Sequence, residues 1–594
     1  MSFITSLRWA VPMVLLLGGQ LSAGTSSPNR AKPASLSDST YRRSLTYFFD
    51  RPARDMMEEL PLGNGRLGML SDGGIQEQII TLCESSMWSG SIDSTAWNNE
   101  AVKHLPTIRQ LLLTGKPKEA EDLMYRTFVC GGQGSGRGNG ANVPYCSYQV
   151  GGFLRLNWGK SPFPSDYRRS LSLSEGVSEE SFEVGAQPYR SKRLYSALGK
   201  EVQVVSLTNH STEAKQDTLR LSLTRPENGQ RTIGAGYLTL AGQLPDGRQG
   251  KGLRYAIVVR PVLPQGGKLI ARDNELLIVD APIINLYIAH NTNYYNKRSP
   301  LIALGVEQLI QAEAWSEEKL YQEHVHQFSS QMDRVRVHLG NGDTTRGSLP
   351  IERRLSAYYE HPESDPALAS LYLQLGRYLL LSSTRPGALP PNLQGLWTET
   401  IQAPWNGDYH LNINLQMNYW PAYSTNLAET AAPYERLVSS LVAPGRASAQ
   451  ALFGYPANSS GWVAFNETTP WGYTGLYDWP TAAWFPEAAA WVADTYWQNY
   501  RYTGNVQHLR DVGYPVLKGA AQFWLNFLVA DASGHLVVTP SYSPEHGQYS
   551  AGAAMSQQIV TRLLSTTLTA AELAGETDAA FTQQLRDTLD DRLT

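Results

Sequence analysis

The hydrophobic period of the chain changes once, near residue 300, and this change restricts the possible fold more than any other feature. Before it, short runs rich in Val, Ile, Leu and Tyr are bounded by Gly, Asp and Pro, as at 202–208, 218–224, 254–262 and 276–290. Such runs are typical of β-strands. Their number predicts an N-terminal β-sandwich of large sheets over residues 42–295.

After residue 300 the apolar residues recur with a helical period. Ser364, Asp365 and Pro366 predict the start of one helix. Further helices are predicted at 428–452, 487–502, 507–529, 556–574 and 577–593. Short connectors between helices indicate antiparallel hairpins. We therefore expect a helical linker over 296–345 and a toroid of paired helices over 346–594. The toroid is expected to be incomplete, because a closed ring needs about twelve helices and fewer are predicted.

Residues 1–23 have the features of a secretory signal peptide, with Arg8, a short apolar run and small residues up to Ala23. A membrane anchor is the alternative, but the run is shorter than the roughly 20 residues that span a bilayer. We expect an exported protein, secreted or periplasmic, with no membrane attachment after cleavage and a linker over 24–41. The net charge of -4 gives no basic surface for nucleic acid, which is not an expected partner.

No metal or other cofactor is expected, because the three cysteines lack metal-ligand spacing. A disulfide between Cys130 and Cys146 stays open as a possibility. His324 and His326 lie in a polar helical stretch and are predicted to be solvated. The segment 63-GNGRLG-68 fits a dinucleotide-binding pattern, but a strand-like run follows it where a helix is required. We interpret it as a glycine-rich turn near a site.

The stretch 405-WNGDYHLNINLQMNYW-420 alternates strictly, with its polar residues on even positions. These are Asp408, His410, Asn412, Asn414, Gln416 and Asn418. Amides and an imidazole offer fixed donors and acceptors, which suit a neutral polyhydroxylated ligand. For Gln416 and Asn418, the alternative that they merely begin a helix stays open.

Ten of the fifteen tryptophans lie between 397 and 524. We assign about half of them to helix packing, with Trp491 and Trp524 on apolar stripes. Those in loops beside Gly, Pro and Asn suit stacking against sugar rings. The composition of the region therefore indicates a carbohydrate site, with Trp397, Trp405, Asp408 and His410 as candidate substrate-binding residues.

A hydrolase also needs a general acid, and Glu545 in 538-VTPSYSPEHG-547 is the best candidate. Pro540 and Pro544 restrict the loop, so we expect a fixed and semi-apolar setting that suits this role. The alternative is an exposed loop glutamate without function.

Several motifs together resemble glycoside hydrolase family 95, the inverting α-L-fucosidases. They are 63-GNGRLG-68, 87-MWSG-90, 376-GRYLL-380, 389-LPPNLQGLW-397, 408-DYHLNINLQMNYWPA-422 and 540-PSYSPE-545. The similarity runs from about residue 45 to residue 594 in family order. It implies an N-terminal β-supersandwich, a helical linker and an (α/α)6 barrel, here truncated and without the small β domain that follows in the family.

The resemblance also implies roles for individual residues. Glu545 corresponds to the general acid, and Asn412 and Asn414 correspond to the asparagines that orient the attacking water. His410 corresponds to a sugar-contacting position where histidine goes with L-fucose and a smaller residue with L-galactose. The implied activity is exo-hydrolysis, with inversion, of terminal α-L-fucosides on an oligosaccharide or polysaccharide.

The sequence departs from the family at several points. The segment 461-GWVAFNETTPW-471 lacks the usual histidine pair, Ser556 stands where aspartate is common, and 491–500 lacks a usual histidine. The aspartate that polarises the asparagine amide is expected beyond Thr594, so we expect the 594 residues alone to be nearly inactive. An α-L-galactosidase and a fucoside-binding fragment without hydrolysis are the alternatives. A polysaccharide lyase is disfavoured, because the site stretch has no Arg or Lys to neutralise a uronate.

Overall fold

The computed structural model describes residues 37–591, apart from 94–96, 228, 235, 296, 298–299, 341–345 and 457–459. The predicted signal peptide and most of the predicted linker lie outside this part of the chain. The last residues of the predicted linker belong to a short helix, Asp38–Ser44. No helix in the described residues combines the length and the apolar character needed to cross a membrane.

Two antiparallel sheets form the N-terminal half of the described chain, as predicted. Their strands are β1 Thr46–Phe49, β2 Leu60–Gly63, β3 Leu67–Ser71, β4 Glu77–Glu84, β5 Gly152–Asn157, β6 Asp166–Ser172, β7 Val177–Val184, β8 Gln187–Ser196, β9 Gln203–Asn209, β10 Leu219–Thr224, β11 Gln230–Gly234, β12 Tyr237–Pro245, β13 Lys251–Val262, β14 Lys268–Arg272, β15 Glu275–Val279 and β16 Ile283–Thr292. One sheet has nine strands in the order β1-β6-β7-β8-β9-β16-β13-β12-β11, and the other has seven in the order β14-β15-β10-β5-β4-β3-β2.

Alternating side chains place the core between the sheets. In β10, Leu219, Leu221 and Leu223 are buried, and their neighbours in sequence are less so. In the register of β10 with β5, Leu221 lies opposite Leu156. The run 276–290 is two strands rather than one, because the backbone turns at Asp280, where φ is 55°. The chain passes from the seven-stranded to the nine-stranded sheet at that turn.

Helices dominate the described residues after 300. The α-helices of the chain are α1 Asp38–Ser44, α2 Leu105–Leu113, α3 Pro117–Thr127, α4 Thr212–Gln216, α5 Leu301–Glu313, α6 Glu317–Met332, α7 Ile351–Glu360, α8 Pro366–Ser383, α9 Asn414–Ser424, α10 Ala432–Phe453, α11 Pro480–Ala483, α12 Ala488–Thr503, α13 Val506–His508, α14 Tyr514–Phe527, α15 Ala554–Ala574 and α16 Ala579–Asp591. Four two-residue strands accompany them: β17 Tyr409–His410, β18 Glu467–Thr468, β19 Val529–Ala530 and β20 Leu536–Val537.

The predicted start of α8 is confirmed. The Asp365 side chain accepts a hydrogen bond from the backbone N–H of Leu368 at 3.2 Å, which satisfies one of the unpaired donors of the first turn. Arg354 holds the same carboxylate at 2.8 Å. Trp524 is fully buried and Trp491 is partly buried against the same core, as their apolar stripes indicate.

The turn 63-GNGRLG-68 joins β2 to β3 and packs against the helical half. It is a hairpin, so the rejection of a dinucleotide site is confirmed. A Cβ at Gly63 would lie 2.2 Å from the backbone oxygen of Ser382, and Gly65 has a φ of +86°. Only glycine therefore allows this approach. The turn seals the interface between the two halves.

The structure also tests the predictions for His324 and for the cysteines. His324 is buried rather than solvated, because Nδ1 accepts from the Leu198 N–H at 3.1 Å and Nε2 lies 3.2 Å from the carbonyl oxygen of Gly176. Burial lowers the pKa of His324 to about 4. Cys83, Cys130 and Cys146 are all free, so the possible disulfide does not form in this structure.

Candidate active site

The alternating stretch 405–420 does not form one strand. Within it only Tyr409 and His410 form a strand, paired with Thr468 and Glu467, and α9 begins at Asn414. The helical turn brings Gln416 back onto its own segment, where its amide donates to the carbonyl of Leu411 at 2.6 Å. The polar parity therefore does not create a single polar face, and Gln416 serves the start of the helix.

The pairing of β17 with β18 places His410 between two carboxylates. Its Nδ1 lies 2.7 Å from Oδ1 of Asp408, and its Nε2 lies 2.8 Å from Oε1 of Glu467. Burial alone lowers the pKa of His410, but the charges and hydrogen bonds of the two carboxylates outweigh it and raise the pKa to about 11. The imidazole is therefore a cation across the physiological pH range.

The carboxyl of Glu467 is the member of this group whose protonation state changes near neutral pH. Burial, followed by the charge of Asp408, raises the pKa of Glu467 to about 7, although His410 opposes the shift. Tyr145 donates to Oδ2 of Asp408 at 2.8 Å and lies 3.1 Å from Oε2 of Glu467. The three charged side chains are thus held by a rigid, buried frame whose total charge changes near neutral pH.

Asp408, His410 and Glu467 are also residue types that ligate metals, with ligand atoms all within 4.8 Å of one another. However, both ring nitrogens of His410 already face carboxylate oxygens at hydrogen-bonding distance. A metal bound by the imidazole would have to displace one of these partners. The donor set fits a triad of ion pairs better than a metal centre.

His410 and Glu467 of this triad lie in the lining of a pocket of about 560 Å³. The lining residues are Ser135, Arg137, Gly138, Trp405, Asn406, His410, Asn466, Glu467, Tyr477, Asp478, Trp479, Thr481, Ala482, Tyr542 and Glu545. His410, Asn466 and Glu467 are buried, whereas Trp405 and Glu545 are exposed. The pocket is therefore closed at its polar end and open at a rim that carries the acid and the indole. Its size lies in the range of small-ligand sites.

Trp405 is 74% exposed at this rim. Its backbone is left-handed, with a φ of 48°, as is that of Asn406, with a φ of 59°. Such a conformation is uncommon for a bulky residue. Asn406 stabilises it, since its side-chain oxygen accepts from Gln402 at 2.7 Å and its amide donates to the carbonyl of Ser135 at 3.1 Å. The exposed indole is thus presented by a fixed backbone.

The other predicted site residues lie in three different settings. Asn412 is buried with no hydrogen-bond partner for Oδ1 among the described residues, while Asn414 is exposed at the first position of α9. Neither belongs to the pocket lining. Trp397 is buried, and its indole N–H donates to the carbonyl of Leu62 at 2.9 Å. It packs the interface with the β-sandwich, which leaves no face for a sugar, so its predicted substrate contact is not supported. Glu545 is exposed rather than in the semi-apolar setting expected.

The lining residues that the sequence analysis did not identify include Arg137, Glu467 and Trp479. Glu467 lies inside 461-GWVAFNETTPW-471, a segment that the sequence analysis notes only because it lacks the usual histidine pair of the family. Trp479 is one of many tryptophans in its region, and Arg137 lies in a glycine-rich loop far away in sequence. The spacing of Glu467 from His410 carries no signal, because only the β17–β18 pairing brings them together.

A β-sandwich followed by paired helices, with carboxylic acids and tryptophans around a closed-ended pocket, defines a glycoside hydrolase of the helical-toroid class. The family model described as "Glycosyl hydrolase family 95 catalytic domain" matches residues 316–593. The family model described as "Glycosyl hydrolase family 65, N-terminal domain" matches residues 47–297. The chain belongs to glycosyl hydrolase family 95.

Curated relatives agree with this assignment. "Alpha-L-fucosidase 2" of Arabidopsis thaliana is 28% identical over 620 residues, covering 95% of this chain and 70% of the relative. "Probable alpha-fucosidase A" of Aspergillus niger is 31% identical over 554 residues, covering 88% and 66%. The chain thus spans about two thirds of the length of the relatives it matches.

A solved structure described as "Putative kojibiose phosphorylase from human microbiome" is similar in fold. The TM-score is 0.59 at 10% sequence identity, covering 92% of this chain and 70% of that chain. At this identity the likeness concerns the fold alone. It confirms the predicted class of an N-terminal β-sandwich followed by a helical region with the (α/α)6 toroid fold, whereas the predicted incompleteness of the toroid stays a prediction.

Proposed function

We propose that the protein is an exo-acting α-L-fucosidase that hydrolyses terminal α-L-fucosides of oligosaccharides or polysaccharides with inversion, and that it is exported by its N-terminal signal peptide. One observation carries the proposal: the pocket is closed at the buried His410–Glu467 end and has Glu545 at its open rim. A terminal sugar fills such a pocket and leaves the remainder of the glycan outside. The names of the relatives supply the sugar, α-L-fucose.

The polar groups of the buried end suit a hydroxylated ligand. The amide oxygen of Asn466, a lining residue, is buried and has no hydrogen-bond partner among the described residues. A buried acceptor without a partner is costly, and sugar hydroxyls are donors that can satisfy it. Glu467 adds a carboxyl that either donates or accepts a hydrogen bond, because its pKa of about 7 makes both forms accessible.

Glu545 acts as the general acid in this proposal. With the fucose ring at the buried end, the glycosidic oxygen lies towards the rim, where the Glu545 carboxyl protonates the departing glycan. Water attacks the anomeric carbon from the opposite face, which inverts its configuration. The family resemblance assigns the orientation of this water to Asn412 and Asn414, although neither residue belongs to the lining of the pocket. An amide is a weak base, so a carboxylate partner for the amide is part of the proposal.

The test is Glu545→Gln in the product of the complete gene, with 2'-fucosyllactose as substrate. Loss of a general acid lowers kcat by about 10²–10⁴, and calorimetric binding of the substrate is retained because the amide keeps the shape of the side chain. The matched control is Glu363→Gln, at an exposed glutamate outside the pocket lining. If the wild-type protein releases no fucose from 2'-fucosyllactose, the proposed function is refuted. A Glu545→Gln variant within a few-fold of wild type would remove Glu545 from the role.

A further inference from the structure

The glycine-rich loop 131–140 of the N-terminal half forms one wall of the pocket. Ser135 is its anchor: the N–H donates to the carbonyl of Tyr477 at 3.0 Å, and Oγ donates to Oδ2 of Asp478 at 2.5 Å. Gly134 has a φ of +61°, and a Cβ there would lie 1.6 Å from the Tyr477 oxygen. The loop is therefore fitted to the helical half and is part of the site.

This loop carries Arg137 to the rim. The guanidinium lies over the indole of Trp479, with its carbon 5.4 Å from the ring centroid. Arg137 is exposed, and no ion pair or side-chain hydrogen bond of its guanidinium is found among the described residues. The nearby Asp478 carboxylate is engaged by Ser135 through both oxygens. Arg137 is thus an exposed cation over the indole of Trp479, and its charge also acts on the nearby Asp478 carboxylate.

The stacked arrangement favours one kind of ligand. A guanidinium packed on an aromatic face keeps its in-plane N–H groups available, and these match a carboxylate or sulfate in a bidentate manner. The Trp479 face next to Arg137 is occupied and is less suited to a neutral sugar ring. Among the described lining residues, the cationic side chains are the buried His410 and the exposed Arg137, and the acidic ones are Glu467, Asp478 and Glu545. An anionic group placed elsewhere in the pocket meets acidic side chains.

We propose that loop 131–140 builds the leaving-group subsite and that Arg137 selects glycans whose sugar next to the terminal fucose bears an anionic group, a uronate carboxylate or a sulfate ester. The inference rests on the proposed function, because it places the fucose at the buried end and the next sugar at the rim. Trp405, on the same rim, supplies the apolar face for that sugar.

The experiment compares α-L-fucosyl-(1→2)-D-glucuronic acid with α-L-fucosyl-(1→2)-D-glucose, which differ only in a carboxylate against a hydroxymethyl group. The quantity is the ratio of their kcat/KM values, with the ratio of their calorimetric Kd values as a readout that does not need turnover. The protein is the product of the complete gene, as wild type, Arg137→Met and Arg137→Lys. Arg231→Met is the matched control, because Arg231 is an exposed arginine on β11 and outside the lining.

The wild type is expected to prefer the acid about tenfold or more, the size of a charge-assisted hydrogen bond. Arg137→Met removes this preference, Arg137→Lys keeps part of it because a point charge lacks the planar fork, and Arg231→Met retains it. A ratio near one in the wild type, or a ratio unchanged in Arg137→Met, overturns the inference, while fucose release from the neutral disaccharide upholds the function. If neither disaccharide is bound or cleaved, both proposals fail. A fucosyl disaccharide with a 6-sulfate in place of the carboxylate tells the two anions apart.

Discussion

Replacing Glu487 with glutamine is expected to stabilise the protein at neutral and alkaline pH. Glu487 precedes α12 and is fully buried. It lies beside Ser556, but neither carboxyl oxygen has a hydrogen bond of good geometry among the described residues. Burial raises the pKa of Glu487 from 4.5 to about 7, with Ser556 opposing the shift. The native state therefore disfavours the ionised form.

The magnitude follows from proton linkage. Below pH 4.5 the carboxyl is protonated in both the folded and the unfolded chain, and it contributes no electrostatic cost. As the pH rises towards 7, the unfolded chain ionises more readily than the folded one, so the free energy of unfolding falls. A pKa difference between 4.5 and about 7 corresponds to about 3 kcal/mol. Glutamine has nearly the same shape and cannot ionise, so the variant escapes this loss.

The assay is denaturant unfolding followed by tryptophan fluorescence at pH 4.5, 6 and 8 for wild type and Glu487→Gln. The difference in the free energy of unfolding between the two proteins should grow in favour of the variant by about 3 kcal/mol from pH 4.5 to pH 8. Glu363→Gln, at an exposed glutamate, provides the matched control and should show no such growth. A difference that is flat with pH would falsify the reasoning, since it would mean that the Glu487 carboxylate is solvated or paired in the native state.

Two further predictions concern the pocket. The ring signals of His410 in NMR spectra should stay those of an imidazolium from pH 5 to 9, because the pKa is raised to about 11. The stability that the ion pair of His410 with Asp408 contributes is lost as the pH rises through about 11. A titration midpoint near 6.5 would contradict the triad. Trp405→Ala should raise KM for 2'-fucosyllactose about tenfold, the loss of roughly 1–1.5 kcal/mol of stacking, whereas Trp420→Ala, at an indole 56% exposed and outside the lining, should leave KM unchanged; equal effects of the two variants would exclude Trp405 from the site.

Much of the fold is predictable because its signals are local. The start of α8 at Asp365 and Pro366 depends on capping chemistry within four residues, and the strand runs of the β-sandwich depend on short-range patterning. The prediction for His324 failed because its partners, Leu198 and Gly176, come from the β-sandwich. A polar helical stretch in sequence does not reveal which of its faces another domain will cover.

The same distinction applies to the site. Trp405, His410 and Glu545 were found by composition, loop restriction and family resemblance, and they do line one pocket. Glu467 was missed because its pairing with His410 depends on two two-residue strands that no propensity indicates. Arg137 was missed because a glycine-rich loop looks like a connector until the fit of Gly134 and Ser135 against the helical half is known. The predicted substrate contact of Trp397 is not supported because the sequence does not show whether an indole faces the pocket or packs against the β-sandwich, as this one does.

Time-resolved ¹H NMR of 2'-fucosyllactose with the product of the complete gene tests most directly whether this pocket releases a terminal α-L-fucose with inversion. We expect the β-anomer of L-fucose to appear first and the α-anomer to grow in afterwards by mutarotation. The α-anomer appearing first would contradict the inverting mechanism, and an unchanged spectrum of the substrate would contradict the fucosidase activity itself.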